Sequence, residues 1–116
     1  MFLDTYALVE IAKGNPRYRK YLKGRILLTK LNLIEFYYAV LRDFNEEEAK
    51  KQYFFYLPFV EEITDDVVFE AMKFRLEHKD LSYADCIGYI MAKVNKEKFL
   101  TGDFMFKGLK NVEFVK

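Results

Sequence analysis

Four acids in this chain stand in apolar company. Asp4 closes "MFLD", Glu35 lies inside "NLIEFYY", Asp85 inside "LSYADCIGYIMA" and Asp103 inside "TGDFMF". Most of the other acids among the 18 sit in mixed-charge runs such as "DFNEEE" and "EEITDD", and Glu10, Glu70 and Glu113 point outward by periodicity. An unpaired ionised carboxylate buried among Leu33, Ile34 and Phe36 would cost on the order of several kcal/mol, so a cation or water must face Glu35. Taken singly, Asp85 reads as the fourth residue of a Ser82-x-x-Asp85 capping box and Asp103 as a turn residue. Taken together, four carboxylates without histidine or thiolate make a hard-oxygen donor set, suited to Mg²⁺ or Mn²⁺ and not to zinc. Such a set orients water and bridges phosphate oxygens, which is the chemistry of metal-assisted phosphodiester hydrolysis. Helical spacing places Asn32, Glu35 and Ala39 on one face, and Ser82, Asp85, Gly88 and Tyr89 on another. The small residues at 39 and 88 are expected to leave room beside each acid, and Gly102 to let its turn approach a bound ion.

Other chemistries have little to work with. The chain has one serine, Ser82, one cysteine, Cys86, and one histidine, His78. Ser82 reads as a helix cap and Cys86 as a small buried hydrophobe, so a nucleophilic Ser-His or Cys-His site is not supported. No Gly-x-Gly-x-x-Gly or Gly-Lys-Ser/Thr phosphate loop occurs, which argues against a nucleotide cofactor. A single cysteine excludes an internal disulfide and fits a reducing cytoplasm. The amino terminus has no basic leader ahead of its apolar residues, and no stretch approaches the ~20 apolar residues of a membrane span.

The elements that must position these acids alternate. With 116 residues and 52% hydrophobic content, the chain is one domain's worth. "MFLD" predicts a short strand opening directly into the helix "TYALVEIAKG", stopped by Gly14. Asn15-Pro16 predicts a capped short basic helix to Leu22. "RILLT" follows as a strand and "KLNLIEFYYAVLRDF" as a long helix. Asn45 caps "EEEAKKQYFFYL", three glutamates favour that helix's positive end, and Pro58 closes it. "FVEEI" predicts a weak third strand, Thr64 opens a helix to about His78, and Ser82 opens another ahead of the strand "KFLT", the turn "TGDFMF" and a last strand "VEFV". Alternation of this kind predicts an α/β fold, a parallel sheet with helices on both faces. Its functional crevice lies beyond the carboxyl ends of the strands, where Asp4 and Asp103 meet if their strands are neighbours.

"MFLDTYALVEI", "NLIEFYY", "LSYADCIGYIMA" and "TGDFMF", in this order and spacing, resemble the PIN-domain ribonucleases, specifically the small VapC-like toxins of prokaryotic toxin-antitoxin pairs. The likeness covers essentially the whole chain as a single domain, residues 1–116. It implies a parallel sheet of strand order 3-2-1-4-5, Mg²⁺-dependent cleavage of RNA to 5′-phosphate and 3′-hydroxyl ends, a homodimer and an antitoxin partner. Residue by residue, Asp4, Glu35, Asp85 and Asp103 match the family's metal-binding acids and Thr5 the hydroxyl after the first acid, with Thr101 and Phe106 also in place. Two positions depart. Tyr6 replaces a small polar residue, narrowing the substrate entrance, and Met105 stands where a further acid is common, which fits a one-metal resting state.

Two surfaces remain. Lys13, Arg17, Arg19, Lys20, Lys23, Arg25 and Lys30 fill a segment with no acid, and Tyr18 and Tyr21 interleave with them. Phosphate contact with base stacking is one reading and a solvated helix face the other. Leu33, Phe36 and Val40 are offset from a second apolar stripe, Ile34, Tyr38 and Leu41, and with "YFFYL" they exceed one core face, which predicts a partner: a second copy of the chain or an antitoxin peptide. The alternative to a ribonuclease is a PIN-like binding protein whose acids hold a structural cation.

Overall fold

The computed structural model describes all 116 residues. Its regular elements are β1 (Phe2–Leu3), α1 (Thr5–Ala12), a 3-10 run (Pro16–Leu22), α2 (Lys30–Asp43), α3 (Glu46–Tyr56), α4 (Asp65–Glu77), α5 (Tyr83–Val94), β2 (Phe99–Thr101) and β3 (Val112–Phe114). The helix starts follow from local capping. Thr29, Asn45, Thr64 and Ser82 each accept the amide three residues on, so each helix begins where a side chain can satisfy an otherwise orphaned N–H.

All strand pairing is parallel. The sheet order is β1-β2-β3, with Phe2 opposite Phe99, Leu3 opposite Leu100, and Thr101 opposite Phe114. The expected strands at "RILLT" and "FVEEI" do not form ladders. Each is reduced to a single parallel bridge, Leu27 with Phe2 and Leu28 with Val60. The chain around Leu27 has little room to be a strand: Gly24 takes a positive φ of 87° just before it, and Thr29 just after it already caps α2. Three strands form ladders where five were expected; the bridges nevertheless set Val60 beside Leu28 and Leu27 beside Phe2, on the edge of β1 away from β2, so β1 bonds along both edges. The amides of Phe2 and Asp4 donate to Lys98 and Leu100, and that of Leu3 to Leu27 on the other side.

The period-two alternation of strand residues divides the core. Phe2 and Phe99 face one way, into a cluster with Val67 and Ala71 of α4 and Cys86, Tyr89 and Ile90 of α5. Leu3 and Leu100 face the other, with Leu8 of α1, Tyr18, Leu33, Phe36 and Val40 of α2, and Ala49 and Tyr56 of α3. Helices thus cover both faces, as a parallel α/β sheet requires. On α2 the buried stripe is Leu33, Phe36 and Val40, while Ile34, Tyr38, Leu41 and Phe44 are exposed. No helix is long and apolar enough to cross a membrane.

Gly88 does not make room for an acid. A Cβ there would press on the rings of Phe2 and Phe99 at 3.1–3.3 Å, so its absence lets α5 lie close on the sheet.

Candidate active site

Asp4 sits at the carboxyl end of β1 and at the N-cap of α1. It is the only N-cap residue of the five α-helices whose side chain does not cap its own helix. Its Oδ2 instead accepts the hydroxyl of Thr101 at 2.7 Å, from the end of the neighbouring strand β2. Only 5% of Asp4 is exposed. Burial pushes its carboxyl from 3.8 up to about 7; the Thr101 hydroxyl and the Thr5 backbone oppose the rise, and the charges of Asp85 and Asp103 add to it. Three acids from three parts of the chain therefore share one electrostatic neighbourhood.

Asp103 follows β2 by two residues. Its amide donates to the Thr101 hydroxyl at 3.1 Å and its Oδ1 accepts the Met105 amide at 3.0 Å, which closes the 3-10 turn Phe104–Phe106. Thr101 is thus a relay, fully buried, that fixes the Asp103 turn against Asp4. Asp85 is half-buried and does form the expected capping box: Ser82 N–H donates to its Oδ2 at 3.0 Å and Ser82 Oγ accepts its amide at 3.0 Å.

Glu35 is exposed, so it carries no burial penalty of the kind its apolar neighbours implied; Leu33 and Phe36 turn inward past it. It is held by Thr5, whose Oγ1 donates to Glu35 Oε1 at 2.8 Å. Asn32 accounts for the placement of Thr5. Its Nδ2 donates to Thr5 Oγ1 at 3.2 Å, while its Oδ1 accepts the hydroxyl and amide of Thr29, the N-cap of α2. Asn32 is 1% exposed, and its spacing alone assigns it no role; a buried amide among apolar residues at the start of a helix is the available signal.

Gly102 has a packing reason of its own. A Cβ at this position would run into the Val115 carbonyl oxygen and the Tyr6 ring. The missing side chain accommodates the Val115 carbonyl and Tyr6, which packs over the turn. The hydroxyls of Tyr18 and Tyr21 are both engaged. Tyr18 is fully buried with its hydroxyl on the Val115 carbonyl, so it offers no ring to a base; Tyr21 is half-buried and donates its hydroxyl to Glu113 at 2.8 Å. Cys86 is buried and free, its thiol pushed up chiefly by desolvation, which leaves no reactive thiolate.

No three acidic, histidine or cysteine side chains are gathered at the spacing of a closed metal cage. Asp4, Glu35, Asp85 and Asp103 each accept a hydrogen bond from a protein donor. The donor set nevertheless fits a hard divalent ion. It is all oxygen, and its most buried member is held near neutral pH by desolvation and two neighbouring acids, a cost that a cation would reverse.

A family model described as PIN domain matches residues 1–112. The chain belongs to the PIN-domain family. Among solved structures it is similar to a toxin-antitoxin complex from Klebsiella pneumoniae (TM-score 0.78, 18% identity, 97% of this chain and 94% of that one). It is also similar to VapBC2 from Rickettsia felis bound to a DNA fragment from its promoter (TM-score 0.74, 19% identity, 98% and 96%). A third is Mycobacterium tuberculosis VapC20, described as a Sarcin-Ricin loop cleaving toxin (TM-score 0.75, 16% identity, 96% and 97%). At these identities the likeness is one of fold. No curated protein sequence matches the chain significantly. Asp4 ends β1 and Asp103 follows the paired β2, at the carboxyl edge of the strands; Asp85 of α5 is within electrostatic reach of Asp4, and Glu35 of α2 is bonded to Thr5 next to it.

Proposed function

We propose that this PIN domain is a divalent-metal-dependent endoribonuclease, the toxin of a VapBC-type toxin-antitoxin pair. The observation that carries the reading is the buried Asp4, pushed up to about 7 beside Asp85 and Asp103 at the end of paired parallel strands. Structural acids are not ordinarily left so crowded, and perturbed groups of this kind mark functional sites. Asp4, Glu35, Asp85 and Asp103 would hold Mg²⁺ or Mn²⁺, which supplies Lewis-acid polarisation of a phosphate and a more acidic bound water. The chain's own residues do the positioning. Thr101 holds Asp4 and the Asp103 turn in register through one hydroxyl. Asn32 and Thr5 hold Glu35 through another. Tyr6, packed on Gly102, walls one side of the entrance. Met105 offers no carboxylate, which supports a one-metal resting state.

Two apolar surfaces support partners. The exposed stripe of α2, Ile34, Tyr38, Leu41 and Phe44, would form the contact of a homodimer. A groove of about 640 Å³ between Ile11, Leu22 and Ile26 on one wall and Phe54 and Phe55 of α3 on the other would receive an antitoxin segment; solved structures of the same fold include toxin-antitoxin complexes.

The test is cleavage of a mixed single-stranded RNA pool. The parent is expected to cut it with Mg²⁺ and to stop when the ion is chelated. Asp85→Asn keeps an oxygen for the Ser82 amide and so keeps the cap, yet should lose cleavage. A folded Asp85→Asn variant that cuts like the parent would sink the reading, as would turnover indifferent to chelator.

A further inference from the structure

The loops that carry Asp4 and Asp103 also build a surface that hydrolysis leaves unexplained. Phe104 follows Asp103 directly and is 60% exposed, with Met105 beside it also exposed. A bulky ring facing water in a turn is unusual, since turns favour small and polar residues. Two lysines lean on that ring. Lys107 Nζ lies 5.1 Å and Lys116 Nζ 4.5 Å from its centroid. Lys107 also reaches the Phe114 ring at 5.5 Å, and Lys116 the Tyr6 ring at 5.6 Å. Neither lysine makes an ion pair, although most of the chain's salt bridges engage a lysine or arginine. Phe114 sits 5.7 Å from Phe104, centroid to centroid, and buttresses it from β3. Tyr6, two residues after Asp4, abuts Gly102, one residue before Asp103. The aromatic patch therefore adjoins the turn that carries Asp103 and the segment that carries Asp4.

A flat exposed ring flanked by two uncompensated ammonium groups is matched by a ligand that is planar and carries a negative charge beside the plane. An apolar helix would cover the ring but strip water from both lysines. An acidic peptide would satisfy the lysines and leave the ring without a partner. A nucleotide does both, its base on Phe104 and its phosphate on the lysines, which exchange weak exposed cation–π contacts for a charge-assisted one. We propose that Phe104, with Lys107 and Lys116, is a stacking platform for an unpaired base next to the phosphate held at the acids. The inference rests on the ribonuclease reading above and specifies its substrate. In a duplex both faces of each base are covered by its neighbours, so the platform has nothing to grip.

The experiment measures binding and cleavage separately. Binding of a labelled single-stranded RNA oligonucleotide of mixed sequence is followed by fluorescence anisotropy with chelator present, and cleavage of the same RNA is followed in Mg²⁺. Phe104→Ala, at an exposed site, is expected to weaken single-strand binding about tenfold, while Phe104→Tyr stays within about twofold of the parent. Lys107→Gln and Lys116→Gln should each lower the salt dependence of binding by about one phosphate contact. Binding of a duplex of the same sequence should be unmoved by Phe104→Ala. Parent-like single-strand binding by that variant overturns the proposal, as does an equal loss for single strand and duplex. Binding of poly-glutamate at this patch in place of RNA would make it a protein-docking surface and also overturn it. The two readings fail apart: an RNA-cleaving parent whose KM is unchanged by Phe104→Ala loses the platform and keeps the nuclease, while Phe104-dependent binding without cleavage does the reverse.

Discussion

Replacing Asp4 by Asn in metal-free protein should stabilise the fold at neutral pH and do nothing of the kind in acid. The carboxyl is buried at the end of β1, and its pKa lies near 7 in the folded chain against 3.8 for an ordinary aspartate. Between those two values the folded state holds a proton that the unfolded chain releases. Stability is thus whole below the lower value, declines as pH rises through the window, and the loss is complete above the upper one. A shift of this size corresponds to a ceiling of about 4 kcal/mol, at ~1.36 kcal/mol for each pH unit. The Asn side chain keeps an oxygen to accept the Thr101 hydroxyl and carries no charge to desolvate. Urea unfolding of parent and variant in chelator, at matched protein concentration from pH 4 to pH 8, reads the difference. The two should lie close together at the acid end, with the Asp4→Asn variant ahead by a growing margin towards pH 8. Mg²⁺ should then close much of that margin by stabilising the parent. A margin independent of pH, or a parent more stable at pH 8 without metal, would refute the argument.

Three further outcomes can be checked. Mg²⁺ or Mn²⁺ should raise the Tm of the parent by mass action and that of Asp103→Asn by less; equal responses would remove Asp103 from the site. Gly102→Ala should cost roughly 1–3 kcal/mol in chemical denaturation, because a Cβ there meets the Val115 backbone as well as Tyr6, and adding Tyr6→Ala should restore only part of the loss. The isolated chain should sediment as a dimer at micromolar concentration, and Tyr38→Lys in the exposed stripe of α2 should shift it to monomer; a parent that is already a stable monomer would rule out the stripe as a self-contact.

Local order was legible in the sequence because its causes are local. Asn45, Thr64 and Ser82 each bond an amide three residues away, so the starts of α3, α4 and α5 could be read from a few letters. The four acids stood out for a similar reason, since a carboxylate among apolar residues is anomalous wherever the chain goes. The pairing of β1 with β2, which brings the Asp4 and Asp103 ends together, followed from alternation of strands and helices. Other properties depend on residues far apart in the chain. The stripes Leu33-Phe36-Val40 and Ile34-Tyr38-Leu41 both have helical spacing, and only the sheet beneath α2 determines that the first is buried and the second exposed. Tyr18 reads as a surface ring in a basic run until Val115, from the other end of the chain, takes its hydroxyl. The strand expected at "RILLT" shrinks to a bridge because the Thr29 cap starts α2 at once, which leaves "FVEEI" only Leu28 to pair with. Thr101 and Asn32 acquire their roles from partners 97 and 27 residues away, a separation no local pattern encodes. The charge state of Asp4 is the clearest case: its residue type was set by sequence, but its pKa belongs to the burial and the two distant acids that folding places around it.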